Sequence, residues 1–411
     1  MARMTPRALA GPLADLAFRR RKIALLSGPR QCGKTTLARM LLASRAAGAY
    51  RTWDDVEFRR AWARDPKSVL PRGRGRAAPL LVLDELHKDR RWKGALKGLY
   101  DTLARPCDVL VTGSARLDVH VRAKGSDSLL GRYLHFRLHA FTLREMSRPD
   151  VPRPDEFLDG LFGGGTPARK ADEAHLADLL VYGPFPEPLF AQDERFARLW
   201  RRNRERIVVR EELRDLSRLP ELGRVELLTA LLPERVGSPF SVAALREDLE
   251  VSFDTVKRWT AFLHTLYYLF ELKPYSRNLP RSLKREGKVY LWDWSSVPRA
   301  PARFENLVAS HLQKACHYWT DTGEGDFRLW YLRTKERDEI DFLVVRDGEP
   351  WLPVEVKSGD QGLSPQWAKF SRLLPCRRGI QLVRGAARRV HRLGPAEVLV
   401  VGAAEALAEL V

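Results

Sequence analysis

A nine-residue run near the start of the chain has the composition and spacing of a phosphate-binding loop. Residues 28–36 read Gly-Pro-Arg-Gln-Cys-Gly-Lys-Thr-Thr, which fits the pattern G-x-x-x-x-G-K-[ST]. Residues 21–26 predict a buried strand before the run, and residues 37–42 predict a helix after it. Backbone N–H groups of such a loop surround an anion, and the positive end of the helix dipole adds to the attraction. The run therefore predicts a site for the phosphates of a nucleotide.

The side chains of this loop have separate roles in a site for ATP and Mg²⁺. Lys34 can reach the β- and γ-phosphates, and the hydroxyl of Thr35 can ligate Mg²⁺. The expected nucleotide contacts are Gly28, Pro29, Arg30, Gln31, Cys32, Gly33, Lys34, Thr35 and Thr36.

Two acids at the end of a second apolar stretch could complete a hydrolytic site. Residues 79–83 predict a buried strand that ends in Asp84 and Glu85. Asp84 can hold the water shell of Mg²⁺ beside Thr35, and Glu85 can polarise the attacking water. The pair begins fifty residues after Lys34, and we expect its strand to neighbour the strand that precedes the phosphate loop.

Three further side chains are candidates for contact with the γ-phosphate. Ser114 stands at the end of a predicted strand at 108–114 and could sense the phosphate through a hydrogen bond. Arg116 and Arg132 could neutralise charge in the transition state, as an arginine finger does. Because the chain holds 71 Lys and Arg residues, the sequence leaves open which arginine completes the site.

A second set of charged residues lies in the C-terminal third of the chain. Asp341 is followed by Glu355 and Lys357 in a D…E-x-K arrangement. Two carboxylates on adjacent strands can hold Mg²⁺, and a lysine can steady the attacking water or the phosphate charge. The alternative is that these acids are solvated or salt-bridged strand residues without a metal.

The hairpin between the two acids gives this idea a geometric test. Asp347 and Gly348 predict a tight turn. A strict two-residue loop would set Asp341 opposite Val354, on the face away from Glu355. A three-residue loop would set Asp341 directly across from Glu355.

Residues 238–270 predict two short helices separated by a turn. Ser252 can cap the second helix, with Val256, Trp259 and Leu263 as its buried side. This spacing is typical of a helix-turn-helix, a module that either contacts DNA or packs against protein. The side chains that the second helix would present to DNA are Ser252, Thr255, Lys257 and Arg258.

Composition and charge narrow the class of protein. The net charge of +19 favours nucleic acid or another polyanion as a partner, although a genome rich in G and C would also raise the arginine content. The basic residues 201–206 form either a solvated helix face or a stripe that touches phosphates. Four scattered cysteines exclude a disulfide framework and a zinc site. Without an apolar run that could span a membrane or serve as a signal peptide, we expect a cytoplasmic protein with no membrane contact.

The order of elements predicts an α/β fold class in several domains. Alternating strands and helices over 1–145 predict a parallel sheet with helices on both faces. Residues 146–235 are expected to form a linker and a helical segment, with a Pro- and Gly-rich loop at 147–169. The helix pair belongs to a segment that we expect to occupy 236–285. Residues 286–411 predict a further α/β domain, with a helix at 304–315 and strands at 328–332, 339–345, 351–357, 379–383 and 397–401.

Taken in order, these motifs resemble those of prokaryotic AAA-type ATPases that carry a C-terminal DUF4143 domain. The resemblance covers nearly the whole chain and rests on residues 28–36, 81–88, 111–116, 131–132, 182–187, 274–278, 304–306 and 339–342. It implies a P-loop NTPase sheet, a winged-helix segment at 236–285 and a PD-(D/E)xK nuclease-like fold at 286–411. Glu305 resembles the acid that some such nucleases supply as an additional metal ligand, which would give a second Mg²⁺ site. Where the family reads Gly-Gly-Phe-Pro, residues 183–186 here read Gly-Pro-Phe-Pro.

The combined expectation is a Mg²⁺-dependent P-loop ATPase whose nucleotide state controls DNA engagement by its C-terminal half. Two alternatives remain open. One is an ATP-gated, metal-dependent DNA nuclease, and the other is a nucleotide-switched DNA- or protein-binding regulator with little turnover. Assembly into a homo-oligomer or with a protein partner also remains open at this point.

Overall fold

The computed structural model describes residues 5–71, 77–114, 117, 129–148, 150–212, 222–276, 286–359 and 362–411 of the 411-residue chain. The chain divides into two compact units, Met1–Ala140 (unit 1) and Phe141–Val411 (unit 2). Every helix within the described ranges is too short or too polar to cross a lipid bilayer.

Unit 1 is built on a five-stranded parallel sheet in the order β2-β3-β4-β1-β5. Its strands are β1 (Ile23–Ser27), β2 (Gly48–Thr52), β3 (Leu80–Asp84), β4 (Asp108–Thr112) and β5 (Tyr133–Arg137). Every residue of β1, β3 and β4 is buried, as expected for parallel strands covered on both faces. The predicted parallel α/β sheet is therefore confirmed.

One expectation about this sheet is wrong. The strand that ends in Asp84 is not next to β1, because β4 lies between β3 and β1. Sequence separation limits how many elements connect two motifs, and it does not fix the order of the strands in the sheet. The two motifs still meet, since the helix that follows the phosphate loop packs across β2, β3 and β4.

The helices of unit 1 connect and cover these strands. A helical turn at Ala10–Pro12 continues as a π-helix, Leu13–Phe18, and 3₁₀ turns lie at Pro66–Val69 and Leu86–Lys88. The longer helices are α1 (Lys34–Ala43), α2 (Val56–Arg64) and α3 (Trp92–Asp101). Phe58, Trp62, Trp92 and Leu96 of α2 and α3 pack into one core with the apolar side chains of the sheet.

Unit 2 begins with a series of helices. They are α4 (Leu143–Ser147), α5 (Pro154–Phe162), α6 (Lys170–Tyr182), α7 (Pro186–Ala191), α8 (Glu194–Arg206), a π-helix (Ile207–Glu212), α9 (Leu222–Leu231) and a 3₁₀ turn (Leu232–Arg235). Helix α8 contains the basic residues 201–206, and the π-helix continues the predicted helical segment as far as residue 212. Residues 213–221 lie outside the described ranges.

The predicted loop at 147–169 is wrong, because α5 lies within it. Pro154 occupies the first turn, where a missing N–H is tolerated. The side chain of Glu156 accepts a hydrogen bond of 3.0 Å from the backbone N–H of Arg153. Phe157 and Leu161 are buried one turn apart. The prolines and glycines that suggested a loop lie mostly at the ends of this helix.

The expected helix pair is present in unit 2. It consists of α10 (Val242–Leu249) and α11 (Phe253–Thr265). Ser252 caps α11 by accepting a 3.2 Å hydrogen bond from Thr255 N, and Val256, Trp259 and Leu263 are fully buried. The pair is followed by a two-stranded antiparallel sheet, β6 (Leu269–Leu272) and β7 (Lys288–Leu291).

The rest of unit 2 contains a six-stranded sheet in the order β12-β13-β11-β10-β9-β8. A 3₁₀ turn (Trp294–Ser296) and α12 (Ala300–Asp321) precede it, and α13 (Gln366–Leu373) and α14 (Ala403–Leu410) complete it. The strands are β8 (Phe327–Arg333), β9 (Glu339–Arg346), β10 (Glu349–Lys357), β11 (Arg378–Val383), β12 (Arg388–Leu393) and β13 (Ala396–Gly402). Five agree with the predicted strands. The sixth, β12, was not predicted because it is a basic, partly exposed edge strand.

Candidate nucleotide site and acidic centre

The phosphate loop connects the end of β1 to the start of α1, and glycine is required at both of its ends. Gly28 has φ of 155°, and a Cβ there would lie 2.1 Å from the carbonyl oxygen of Leu138. Gly33 has φ of 100°, a left-handed conformation that favours glycine. The pattern residues therefore shape the backbone before any nucleotide binds.

Side chains outside the loop hold it in place. Arg7 donates a 2.7 Å hydrogen bond to the carbonyl oxygen of Cys32 and a second one to that of His139. The buried thiol of Cys32 donates to the carbonyl oxygen of Leu138 at 3.3 Å. Local spacing did not point to Arg7, because only folding brings its position, 25 residues upstream of Cys32, to the loop.

Lys34 lies inside the curve of the loop. Its ammonium donates to the carbonyl oxygens of Gly28 at 3.0 Å and of Pro29 at 2.7 Å. The side chain is buried. A phosphate oxygen entering the loop would offer this ammonium a stronger, charged acceptor.

Asp84 is surrounded by three hydroxyl groups. Thr35 donates to its Oδ2 at 3.1 Å, Tyr50 donates to the same oxygen, and Thr112 donates to Oδ1. The structure thus brings Thr35 and Asp84 together, as a shared Mg²⁺ site needs. Burial, together with the hydrogen bond to Asp84, raises the pKa of Tyr50 above its ordinary value, so its hydroxyl remains a donor.

Tyr50 and Thr112 are site residues that the sequence alone did not identify. Thr112 pairs directly with Asp84 across β3 and β4, and Tyr50 lies on β2, the other neighbour of β3. The strand order supplies both contacts. The sequence could have pointed to Thr112, because it stands near the end of a predicted strand, two residues before Ser114.

Glu85 follows Asp84 in a left-handed conformation, with φ of 58°. Its backbone N–H donates to Thr112 O at 2.8 Å. Its carboxylate lies 3.7 Å from both His87 Nε2 and Lys88 Nζ. Burial raises the pKa of Glu85, and the nearby positive charge of Lys34 opposes that rise. A carboxylate with a raised pKa is better suited to accept a proton from water.

The three candidates for γ-phosphate contact have different placements. Ser114 is buried just beyond β4, at the same edge of the sheet as the phosphate loop. Arg116 lies outside the described residues. Arg132 lies at the opposite edge, because its carbonyl accepts from Ile23 N at the start of β1. There its guanidinium pairs with Asp101 at 2.6 and 3.0 Å, so the structure does not bring Arg132 to the loop.

The hairpin of unit 2 resolves the question of register in an unexpected way. Asp347 and Gly348 have φ of 52° and 88°, and Arg346 pairs with Glu349, so the loop has two residues. A bulge between Pro350 and Leu352 then shifts the register by one residue. The two-residue alternative was thus right about the loop and wrong about its consequence for Asp341.

After the bulge, the acids of β9 and β10 lie opposite each other. Asp341 accepts a 2.8 Å hydrogen bond from Val356 N, and its own N–H donates to Glu355 Oε2 at 3.3 Å. Lys357 Nζ lies 2.7 Å from Glu355 Oε1. The structure therefore brings together the D…E-x-K residues of the sequence.

Two residues on other elements complete this acidic centre, which we define as Glu305, Asp341, Glu355, Lys357 and Lys288. Tyr290 donates to Glu305 Oε1 at 2.8 Å. Lys288 lies 3.9 Å from the same oxygen and also pairs with Glu339. Burial, and then the charges of Glu305 and Glu355, raise the pKa of Asp341 well above its usual range.

The described residues of the acidic centre do not have the arrangement of a metal site. Across the described ranges, no group of three His, Cys, Asp or Glu side chains is arranged to hold a metal ion. The buried ammonium of Lys288 instead brings a positive charge to Glu305 and Glu339. The sequence did not point to Lys288, because β7 reaches the centre only through folding.

The candidate DNA contacts of α11 divide into two pairs. Ser252 and Thr255 bond to each other, with their hydroxyl oxygens 2.8 Å apart, in the cap of the helix. Lys257 and Arg258 are exposed. Only the second pair presents charge to the solvent.

Comparison with known proteins adds family assignments for three segments. Residues 20–147 match the family model AAA_14, described as an AAA domain. Residues 173–300 match DUF8612 and residues 302–394 match DUF4143, both domains of unknown function.

Among individual proteins, two uncharacterized mycobacterial proteins are similar over most of the chain. They are Rv2008c of Mycobacterium tuberculosis and Mb2031c of Mycobacterium bovis, each 24% identical over 342 residues, which is 82% of this chain and 70% of the relative. Among solved structures, the Walker-type ATPase PABY2304 of Pyrococcus abyssi covers 73% of this chain and 96% of its own, with 14% identity and a TM-score of 0.42.

The AAA and DUF4143 matches agree with the resemblance drawn from the motifs. The parallel sheet, the glycine-dependent loop and the position of Asp84 beside Thr35 fit the first match. Three consecutive segments of the chain therefore match an AAA domain, DUF8612 and DUF4143, in that order.

Proposed function

We propose that the chain binds ATP and Mg²⁺ at the phosphate loop, hydrolyses the ATP, and uses its nucleotide state to control DNA engagement by unit 2. The observation that carries the ATPase part is the 3.1 Å contact between Thr35 Oγ1 and Asp84 Oδ2 at the end of the loop. A hydroxyl and a carboxylate in contact, next to a phosphate-binding loop, are the groups that hold Mg²⁺ in P-loop enzymes.

Each residue of the proposed site has a defined task. Lys34 leaves its carbonyl partners for the β- and γ-phosphate oxygens, while Thr35 and Asp84 hold Mg²⁺. The metal neutralises charge on the phosphates when it is bound. Tyr50 and Thr112 fix the orientation of the Asp84 carboxylate through their hydrogen bonds.

Glu85 is the proposed base of the reaction. Its carboxylate is held near Lys88 and His87, and it must turn from these partners to accept a proton from the attacking water. Its raised pKa favours that proton transfer. Ser114 is the proposed hydrogen-bond donor to the γ-phosphate.

The proposed arginine of the site is Arg116 or an arginine from a second copy of the chain. Arg132 of the same chain is held at the other edge of the sheet by Asp101. An arginine supplied by a second subunit would make hydrolysis depend on assembly, and turnover per chain would then rise with protein concentration.

The proposal for DNA rests on charge and on the helix pair. The net charge of +19 produces a field that attracts polyanions. The order α10, α11, β6, β7 supports the proposal of a winged helix, in which α11 would enter the major groove. Lys257 and Arg258 of α11 are exposed and could reach phosphates or bases.

Steady-state ATP turnover with and without duplex DNA tests this proposal. Lys34→Ala should abolish turnover, because it removes the charge that contacts the phosphates. Lys67→Ala is the matched control, since Lys67 is exposed and its hydrogen bond to Asp65 comes from its backbone N–H, which the variant keeps. Equal turnover in the two variants would refute the assignment. Tight DNA binding with negligible wild-type turnover would favour the regulator instead.

A DNA nuclease is the second candidate, favoured by the placement of Asp341 opposite Glu355 with Lys357 alongside. Plasmid cleavage in Mg²⁺ or Mn²⁺ tests it, with Asp341→Ala and Lys357→Ala as variants. Glu349→Ala in the exposed turn serves as the control. Cleavage that survives in both site variants, or that is missing from the wild type, would remove this candidate.

A further inference from the structure

Unit 2 contains a recess that neither the nucleotide site nor the acidic centre uses. Its volume is about 350 Å³. One wall consists of Arg201, Arg202 and Arg204 from the last turns of α8. Tyr268, which precedes β6, and Asp293, which follows β7, also line the recess. The recess therefore brings three guanidinium groups to one small space.

Aromatic packing fixes the position of one of these guanidiniums. Arg204 is buried, and its guanidinium carbon lies 4.0 Å from the centroid of the Phe185 ring and 5.9 Å from that of Trp200. Phe185 is itself fully buried. Stacking on aromatic faces holds a guanidinium plane in a defined orientation, which lowers the entropy lost when a ligand binds.

The second guanidinium, that of Arg201, contains a buried N–H donor that lacks an acceptor among the described residues. This donor is Nη1. Arg303 lies near it, and after burial the charge of Arg201 contributes most to lowering the pKa of Arg303. Burying a charged donor without an acceptor is strongly unfavourable, so an anion at this point would be stabilised.

The carboxylates of the recess do not cancel this charge. Glu205 and Asp293 both line it. Asp293 already accepts hydrogen bonds from Ser295 N at 3.2 Å and Ser295 Oγ at 2.5 Å. The three arginines outnumber the two acids, and Arg303 adds a further positive charge beside Arg201.

We propose that this recess binds a phosphate group through Arg201, Arg202 and Arg204. Guanidinium groups pair with the oxygens of a phosphate through parallel N–H···O bonds, and the two negative charges of a phosphate suit a cluster of three arginines. The group could belong to a small phosphorylated molecule or to the backbone of DNA. The recess shares no lining residue with the phosphate loop or with α11. A negative result here would therefore leave the ATPase proposal intact.

The test uses the full chain with Lys34→Ala, which removes the phosphate loop as a competing site. Two probes are measured, pyrophosphate by calorimetry and a fluorescent duplex oligonucleotide by anisotropy. Arg201→Gln and Arg202→Gln are the site variants. Arg195→Gln is the matched control, because Arg195 is exposed on the same helix and is not among the residues that line the recess. Each site variant should weaken binding about tenfold, as expected for a lost charge-assisted hydrogen bond.

The two probes distinguish the sources of the phosphate. Weaker binding of pyrophosphate assigns the recess to a small phosphorylated ligand, and weaker binding of the oligonucleotide alone assigns it to DNA. Equal binding of both probes by the site variants and the control would overturn the proposal, as would no binding of either probe by the parent chain. Arg202 is exposed, so its variant keeps the test decisive if Arg201→Gln fails to fold.

Discussion

The two groups of acids in this chain share their residue types and differ in what surrounds them. In unit 1, Asp84 accepts hydrogen bonds from the neutral hydroxyls of Thr35, Tyr50 and Thr112. In unit 2, Glu355 pairs with the ammonium of Lys357, and Glu305 lies near that of Lys288. Hydroxyl groups leave the negative charge of a carboxylate available to a cation, whereas a nearby ammonium group already compensates part of that charge.

This difference explains why similar sequence patterns carry unequal functional weight. An acid beside hydroxyls and a phosphate loop is prepared for a metal and its nucleotide. Acids that already pair with lysines have part of their charge compensated without a ligand, and the removal of one partner of such a buried pair destabilises the fold. The comparison predicts that changes beside Asp84 alter chemistry, whereas changes in the acidic centre alter stability.

The largest expected effect follows from Glu85→Gln. We expect ATP turnover to fall on the order of 10³-fold, because the amide cannot accept a proton from the attacking water. ATP binding should persist, since Lys34 and Thr35 remain. Single-turnover hydrolysis and nucleotide affinity measure the two effects separately. Glu57→Gln, at an exposed position on α2, is the control and should retain turnover. Retained hydrolysis in Glu85→Gln would remove the distinction between the two units.

Lys288→Met should destabilise unit 2 by about 3 kcal/mol, the scale expected when one partner of a buried ion pair is removed. The change leaves Glu305 and Glu339 without the ammonium that pairs with them. Urea unfolding, read by hydrogen exchange in β9 and β10, measures the effect. Lys369→Met removes partly exposed pairs with Glu336 and Asp338, so it should cost at most about 1 kcal/mol. An unfolding free energy equal to that of the wild type would show that Lys288 does not supply the charge of this centre.

Tyr50→Phe tests the hydroxyl environment of Asp84. Loss of the hydrogen bond should let the carboxylate reorient, so that half-maximal turnover requires about tenfold more Mg²⁺, as is typical for groups that orient metal ligands. Saturating Mg²⁺ should restore most of the turnover, which separates positioning from a general loss of structure. Tyr100→Phe, whose hydroxyl donates to Arg21 O at the other edge of the sheet, is the control. The same Mg²⁺ requirement in both variants would contradict this role for Tyr50.

Asp341→Asn has the smallest expected effect, and its sign is opposite to that of Lys288→Met. Burial and the charges of Glu305 and Glu355 raise the pKa of Asp341, so ionised Asp341 costs stability at neutral pH. The amide should increase the unfolding free energy at pH 7 by about 1 kcal/mol, a size common for single substitutions. The folded state binds this proton more tightly than the unfolded state. The penalty therefore fades as pH falls through the raised pKa, and the gain from Asn should shrink with it.

The control for this variant is Asp347→Asn in the hairpin turn, where the side chain is exposed. Urea unfolding at several pH values measures both variants. A loss of stability in Asp341→Asn at pH 7 would indicate that the negative charge of Asp341 is needed, as it would be for a bound metal.

Local patterns predicted the parts of the fold that depend on neighbouring residues. The phosphate loop, the end of β3 at Asp84 and the buried side of α11 follow from spacing alone, because a few adjacent residues determine each of them. The same reasoning failed at α5, where prolines and glycines at the ends concealed the buried spacing of Phe157 and Leu161.

Features that depend on distant pairing could not be predicted in the same way. Tyr50 reaches Asp84 because β2 lies beside β3, and Arg7 reaches Cys32 across the fold. The register that sets Asp341 opposite Glu355 depends on a bulge near Trp351, which packs at its ring edge against Trp319 and Phe327. Such contacts are properties of the packed core and leave no mark on local spacing.

The most direct test of the central claim is the DNA affinity of the Glu85→Gln chain in two nucleotide states. This variant should hold ATP and Mg²⁺ without hydrolysis, so its dissociation constant for a duplex oligonucleotide can be compared with that in ADP and Mg²⁺. We predict a difference of about tenfold or more, within the usual range of coupling between sites. Lys34→Ala should show no difference between the two nucleotides. Equal DNA affinity of Glu85→Gln in ATP and ADP would contradict the account.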